Sequence, residues 1–421
     1  MKETRFKDTE IGRIPEDWEV IKLGDSFEFK NGLNASKECF GSGTPIINYT
    51  DVYKHTSLKA EWIKGRVNLS AKDIDRFRVK RNDVFFTRTS ETPEEVGLPS
   101  VLLDTINDCV FSGFVLRARP INKFYVPEYC AFCFRTNQIR LAIINSCTYT
   151  TRALTNGKVL SSIPTPIPPL SEQTRIASAL TSIDNLISSL DKLIEKKKAI
   201  KEGTMQQLLT GKKRLKGFND PWVEKELGKI GDTYSGLTGK TKDDFGVGNA
   251  HYITFLNILN NPVLDTSIFE KVRVVENEKQ NDALKGDLFF NTSSETPEEV
   301  GICSMLDDDI PSLYLNSFCF GYRLSDKQIS PKYLVYYFRC SKGRKLMTLL
   351  AQGVTRYNMS KTAFNTAKIV IPSCLDEQIK IVHILTSMDL EIQSLEAKRN
   401  KYIMAKQGMM QQLLTGKIRL V

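Results

Sequence analysis

Histidine is scarce in this 421-residue chain, which has only His55, His251 and His383, each isolated in sequence. Neither a histidine-based triad nor a histidine metal site is expected. The nine cysteines are scattered rather than framed, which suits a reducing compartment. The closest pair, Cys130 and Cys133 in EYCAFCFR, has no second Cys or His pair at ligand spacing and reads as two small residues on the buried side of an aromatic-rich helix. No bound metal is expected. No run of about 18 apolar residues offers a membrane span, and the opening MKETRFKDTEIGRIPEDW is too charged for a signal peptide. A cytoplasmic protein without membrane contact is expected.

Motifs for self-sufficient chemistry are also missing. A methyltransferase needs a (D/N)PP(Y/F) tetrad and a glycine-rich cofactor loop, and Asn260-Asn261-Pro262 only brushes the first. Gly239-Lys240-Thr241 suggests a P-loop, but Tyr234 stands where GxxxxGKT needs its first glycine. A magnesium nuclease can be sketched from Asp17 with Glu28 and Lys30, yet the matching residues further along are Pro221, Asp232 and Tyr234. Acidic residues are in deficit, 49 against 59 Lys and Arg, and the resulting charge of +10 makes a polyanion such as nucleic acid a plausible partner.

What the chain does have is repetition. SETPEEVG occurs at Ser90–Gly97 and again, unchanged, at Ser294–Gly301, and far more of the chain aligns at nearly the same offset. PEDWEVIKLGD falls opposite DPWVEKELGK, and NDVFFTRTSETPEEVG opposite GDLFFNTSSETPEEVG. VPEYCAFCFR then matches SPKYLVYYFR, YTTR (Tyr149–Arg152) matches GVTR (Gly353–Arg356), LSEQTRI matches LDEQIKI, and QQLLTGKKRL matches QQLLTGKIRL. Each copy reads as a mixed segment of roughly 165 residues followed by a helical one of roughly 40. The divisions fall at 1–169, 170–213, 214–373 and 374–421.

The helical segments carry a coiled-coil heptad. Ile176, Ile183 and Leu190 recur every seven residues, with Leu180, Ile187 and Ile194 interleaved, and the second copy repeats this with Ile381, Leu385, Met388, Ile392 and Leu395. Ser171 and Asp376 are the expected N-caps, and Gly211 and Gly416 the expected stops. A helix from Ser171 to Leu209 would be about 58 Å long and must bury its stripe, for which the other copy supplies a match. The apolar ends at Leu208-Leu209 and Leu413-Leu414 fit packing within the chain or against a partner equally well.

The repeated octet reads as a capping box with proline at the first helical position, Thr92-Pro93-Glu94-Glu95 and Thr296-Pro297-Glu298-Glu299. Its glutamates would repel phosphate, so it should shape a loop rather than touch a polyanion. Just before it the copies differ, Thr87-Arg88-Thr89 against Asn291-Thr292-Ser293. Two readings stand here: a solvated strand end, or side chains that read different base edges from one scaffold.

Duplicated domains, each closing with a P-x-x-x-Q heptad helix that runs into QQLLTGK, resemble the specificity subunits of type I restriction-modification systems across essentially the whole chain. The resemblance implies two α/β (α+β) target-recognition domains and an antiparallel pair of long helices in pseudo-twofold arrangement. It implies that each domain reads half of a bipartite double-stranded DNA site and that the helices set the unread spacer. It also implies a subunit without catalysis or cofactor of its own. Two methyltransferase (modification) subunits would bring S-adenosylmethionine, and restriction/translocase subunits ATP and Mg. Members often carry a threonine- or glycine-rich turn ending in arginine, which Thr151-Arg152 and Thr355-Arg356 match.

Candidate DNA contacts on loops and strand ends are Asn31, Asn34, Lys37, Asn48, Arg88 and Arg152 in the first copy. In the second they are Thr238, Lys240, Asn257, Asn291, Thr292 and Arg356. The copies are most alike at 82–101 and 286–305 and diverge over Tyr49–Arg81 and Tyr252–Lys285. The two half-sites are therefore expected to share some base pairs but not all. A pure coiled-coil scaffold would explain the helices and leave two basic domains without a role.

Overall fold

The structure, a computed structural model, describes residues 5–149 and 151–420. The first four residues of the opening domain and Thr150 of the YTTR stretch lie outside the described residues. The chain divides into two compact units, Met1–Asp191 with Ala397–Val421, and Lys192–Glu396. Each unit thus holds one mixed domain, part of the long helix that leaves it, and part of the other long helix.

In the first unit a five-stranded sheet runs in the order Phe27–Asn31, Val115–Pro120, Val84–Thr87, Pro99–Leu102 and Ser57–Leu58. All pairings but the last are antiparallel. A smaller sheet, Val110–Phe111, Phe40–Ile47 and Arg66–Val67, accompanies it. DVFF and DLFF are buried on both faces, as an unbroken apolar strand requires. The second unit repeats the plan with Gly231–Ser235, Cys319–Leu324, Leu288–Asn291 and Cys303–Met305, beside Glu270–Val272, Phe245–Ile253 and Leu313–Leu315. Helices Pro127–Cys133 and Pro331–Arg339 lie in the respective cores, and Cys130 and Cys133 are buried there as free thiols. At the foot of each sheet an aspartate takes an arginine side-on. Asp83 accepts from Arg119 at 2.8 and 2.7 Å, and Asp287 from Arg323 at the same distances.

The long helices are Leu170–Leu208 and Leu375–Leu413, 39 residues each. Within each unit they run antiparallel, because the partner's number falls as the helix advances. Asp184 meets Lys406 and Asp191 meets Arg399 in the first unit, while Lys197 meets Glu391 and Lys201 meets Asp389 in the second. Ile176, Leu180, Leu190, Ile194, Ile381, Leu385 and Ile392 are buried, and Ile183, Ile187, Met388 and Leu395 are half-buried. Helix starts are pinned to the domains by the glutamine of the repeated motif. Gln173 accepts from the Val126 amide and donates to the Phe124 and Pro168 carbonyls, and Gln378 does the same with Ser330, Gln328 and Pro372.

The expected N-caps are corrected. The helices begin at Leu170 and Leu375, so Ser171 and Asp376 lie in the first turn rather than at the N-cap. The preceding strand ends at Ile167, and the Pro169 carbonyl already accepts the Glu172 and Gln173 amides. The apolar helix ends pack inside the chain. Leu208 and Leu209 join the second unit's core, and Leu413 and Leu414 the first's. Gly211 and Gly416 stop the helices with φ of +74° and +69°, a conformation that glycine adopts without strain.

Candidate nucleic-acid interface

The octet does not form the expected capping box. Pro93–Glu95 and Pro297–Glu299 are single 3-10 turns, and neither Thr92 nor Thr296 caps through its side chain. Glu95 instead accepts from the Ser90 and Tyr53 hydroxyls, which hold its carboxyl below the usual range, and Glu299 accepts from Ser294. The turn is sealed from both sides. Arg140 donates to the Glu94, Val96 and Gly97 carbonyls, and Arg344 to those of Glu298, Val300 and Gly301. Burial pushes the Arg140 guanidinium down to about 10, still charged at neutral pH. On the other side, Thr87 Oγ1 donates to the Glu95 carbonyl and accepts from the Leu98 amide. Asn291 bridges the Glu299 carbonyl and the Ile302 amide in the same way. The octet is repeated because each domain needs this one turn as a rigid base.

That base brings together residues distant in sequence. Thr89–Ser90 pairs with Ala153–Leu154, and Ser293–Ser294 with Tyr357–Asn358, so the arginine of each late turn stands beside the strand end. Arg152 lines a cleft of about 330 Å³ with Tyr49, Thr89, Ser90, Glu95 and Phe114. Arg356 donates to Ser293 Oγ at 3.3 Å. Arg88 donates its amide to the Phe114 carbonyl and its guanidinium to Gly113. Thr292 gives both its amide and hydroxyl to the Phe318 carbonyl. Asn34 is exposed and lies so close over Gly113 that any β-carbon there would meet it. Asn34, Arg88 and Arg152 therefore share one face of the first domain, and Thr292 and Arg356 the equivalent face of the second.

The other candidates are placed differently. Asn31 ends its strand opposite Leu116 and is exposed, and Lys37 opens an exposed turn, Lys37–Cys39. Asn48 is the half-buried N-cap residue of Tyr49–Lys54, with its amide on Asp51. Thr238 is exposed, its backbone clamped by Gln280. Three are turned inward. Lys240 binds Glu278 and the Arg273 carbonyl with its side chain only 8% exposed. Asn257 is buried on the Asp265 backbone, and Asn291 is buried beneath the octet. The nuclease sketch finds no geometry either, since Arg419 occupies Asp17 and Lys30 donates to the Arg76 carbonyl. Among the described residues no group of three or more His, Cys, Asp or Glu could hold a metal ion. Nor is any described helix long and apolar enough to cross a membrane.

Sequence reasoning overlooked Arg140 with Arg344 and Phe114 with Phe318. Both pairs are separated by the octet's own 204 positions, which was the available signal.

The type I restriction modification DNA specificity domain family matches this chain twice, at residues 15–202 and 219–404. The MjaVIII type I restriction enzyme specificity subunit of Methanocaldococcus jannaschii is 25% identical over 99% of this chain and 97% of that one, and its MjaX counterpart 27% over the same shares. The S subunit of a type I restriction-modification system from M. genitalium has the same fold, with TM-score 0.54 and 14% identity over 94% of this chain and 96% of that one. A chain from a study of complex assembly and conformational transition in the type I R-M system reaches 0.60 at 16% identity, over 96% and 99%. With both copies matched over most of their length, the chain belongs to the type I restriction-modification specificity subunits, as a recognition subunit without catalysis of its own.

Proposed function

We propose that this subunit is the sequence-specific DNA reader of its complex, each domain binding one half of a bipartite duplex site and the long helices fixing the spacer between the halves. The carrying observation is that one scaffold, octet plus half-buried arginine, presents a different strand-end side chain at the same place in the two copies. Arg88 stands in the first copy where Thr292 stands in the second, each beside an arginine common to both, Arg152 and Arg356. Arginine suits guanine O6 and N7 or phosphate, and threonine a base edge or thymine methyl. The surplus of basic residues supplies the sequence-independent attraction.

In this reading the subunit directs adenine methylation by two methyltransferase subunits using S-adenosylmethionine, and restriction by translocase subunits using ATP and Mg. Because the scaffolds at 82–101 and 286–305 are so alike, the half-sites share some base pairs. Binding selection from a randomised duplex pool with the assembled methyltransferase complex is the direct test. A bipartite consensus with salt-sensitive affinity supports the reading, whereas equal affinity for all sequences contradicts it.

A further inference from the structure

Both domains hold a phenylalanine out into solvent at the same point, one residue before the strand that pairs with the strand leading into the octet. Phe114 is 58% exposed and precedes Val115, which faces Thr87; Phe318 is 60% exposed and precedes Cys319, which faces Asn291. Neither ring contributes to a core. Both stand on braced turns. The Phe318 amide donates to Asn316 Oδ1 at 2.9 Å, its carbonyl accepts twice from Thr292, and buried Asn316 is itself anchored on the Ile253 carbonyl. The Phe114 amide donates to Ser112 Oγ at 3.2 Å, and its carbonyl accepts from Arg88. The backbone beneath each ring is thus already ordered, so little loop freedom is lost when something packs on the ring.

The clefts beside the two rings differ in chemistry. In the first, the walls include Ser90, Glu91, Glu95 and Arg152, which are hydrogen-bonding groups. In the second, a cleft of about 380 Å³ is walled mainly by Phe245, Tyr252, Phe255, Leu256 and Phe318, with Leu256 64% exposed. Glu270 also lines it, but its carboxylate is taken by the Tyr252 hydroxyl at 2.7 Å. We propose that this second cleft reads a thymine in the second half-site, with the C5-methyl group packed against Phe318 and Leu256. The inference rests on the DNA-reading role proposed above and adds the base and the residues. A methyl is the only apolar group that a base pair offers in the major groove. A cleft of this size beside Thr292, on the same scaffold face as Arg356, fits a base edge.

The test uses the full chain in its methyltransferase complex and duplexes carrying the selected consensus, with each second-half thymine on either strand replaced singly by deoxyuridine. One replacement should weaken binding about fourfold, the transfer value of one buried methyl group. Phe318→Ala should abolish the difference between thymine and uracil at that position, while Phe114→Ala should leave it intact. Because Phe318 is largely exposed, the alanine variant retains its core. If specific binding holds and no replacement matters, or if the second half-site contains no thymine, the inference is overturned while the recognition role stands. If no duplex is bound specifically, both fall together.

Discussion

Arg419, beyond the end of the second long helix, grips Glu172 in the first turn of the first, through Nε–Oε1 and Nη2–Oε2 contacts of 2.7 Å each. Glu172 is buried and also accepts from the Trp18 indole at 3.0 Å, while Arg419 reaches on to Asp17. The second unit holds the counterpart, Arg214 on buried Glu377 at 2.8 and 2.9 Å. The returning helix is thus fastened into the domain that the other helix leaves. Removing Glu172 takes two charged hydrogen bonds from Arg419, which keeps Asp17, and leaves the Trp18 indole without its acceptor, so Glu172→Ala should destabilise the first unit by about 1.5–3 kcal/mol. Thermal melts of Glu172→Ala and Glu377→Ala should both show the loss, whereas replacing the exposed Glu195 should not.

The same lock makes acid stability depend on Asp17. The hydrogen bond from Arg419 holds its carboxyl below the ordinary 3.8. A carboxyl lowered in the folded state stabilises fully above its unfolded value and loses that contribution as pH falls through the folded one. Unfolding midpoints of the native chain should therefore drop more steeply than those of Asp17→Asn as the pH falls below about 4. Parallel curves would contradict the assignment.

Arg344 seals three octet carbonyls in the second domain as Arg140 does in the first. Arg344→Ala should cost about 1.5–3 kcal/mol, because three carbonyls, two of them part-buried, lose a charged donor. Hydrogen exchange should quicken over residues 294–302, and the second half-site should lose definition while the first keeps it.

Two lysines separate surface contact from internal bracing. Lys37 is exposed on an open turn, and its alanine variant should weaken all DNA sequences alike and reduce the salt slope by about one. Lys240 is neutralised by Glu278, so Lys240→Ala should lower stability and leave the salt slope unchanged. By contrast Arg152→Ala should cost about 1–3 kcal/mol on the target and relax one position of the first half-site. Affinity titrations at several salt concentrations distinguish all three.

The duplication, the heptad helices and their glycine stops were legible because they are local patterns written along the chain. The direction of a strand-end side chain was not. Asn291 looks like a free reader in sequence, yet it closes the octet from beneath, as Thr87 does in the other copy. Lys240 looks like a phosphate ligand until Glu278, 38 residues away, is folded against it. Thr-Pro-Glu-Glu has the spacing of a cap, but nearby hydroxyls from Ser90 and Tyr53 claim the Glu95 carboxylate first. The inward turns depend on tertiary partners that no window of sequence contains.

If two similar domains read two halves of one DNA site on behalf of a methyltransferase, the methylation pattern of the genome depends on this gene. Single-molecule sequencing of the source genome, with and without this gene, measures it most directly. The account predicts that one bipartite adenine-methylation motif disappears on deletion, with half-sites that share some but not all base pairs. An intact, expressed system that loses no motif would contradict it.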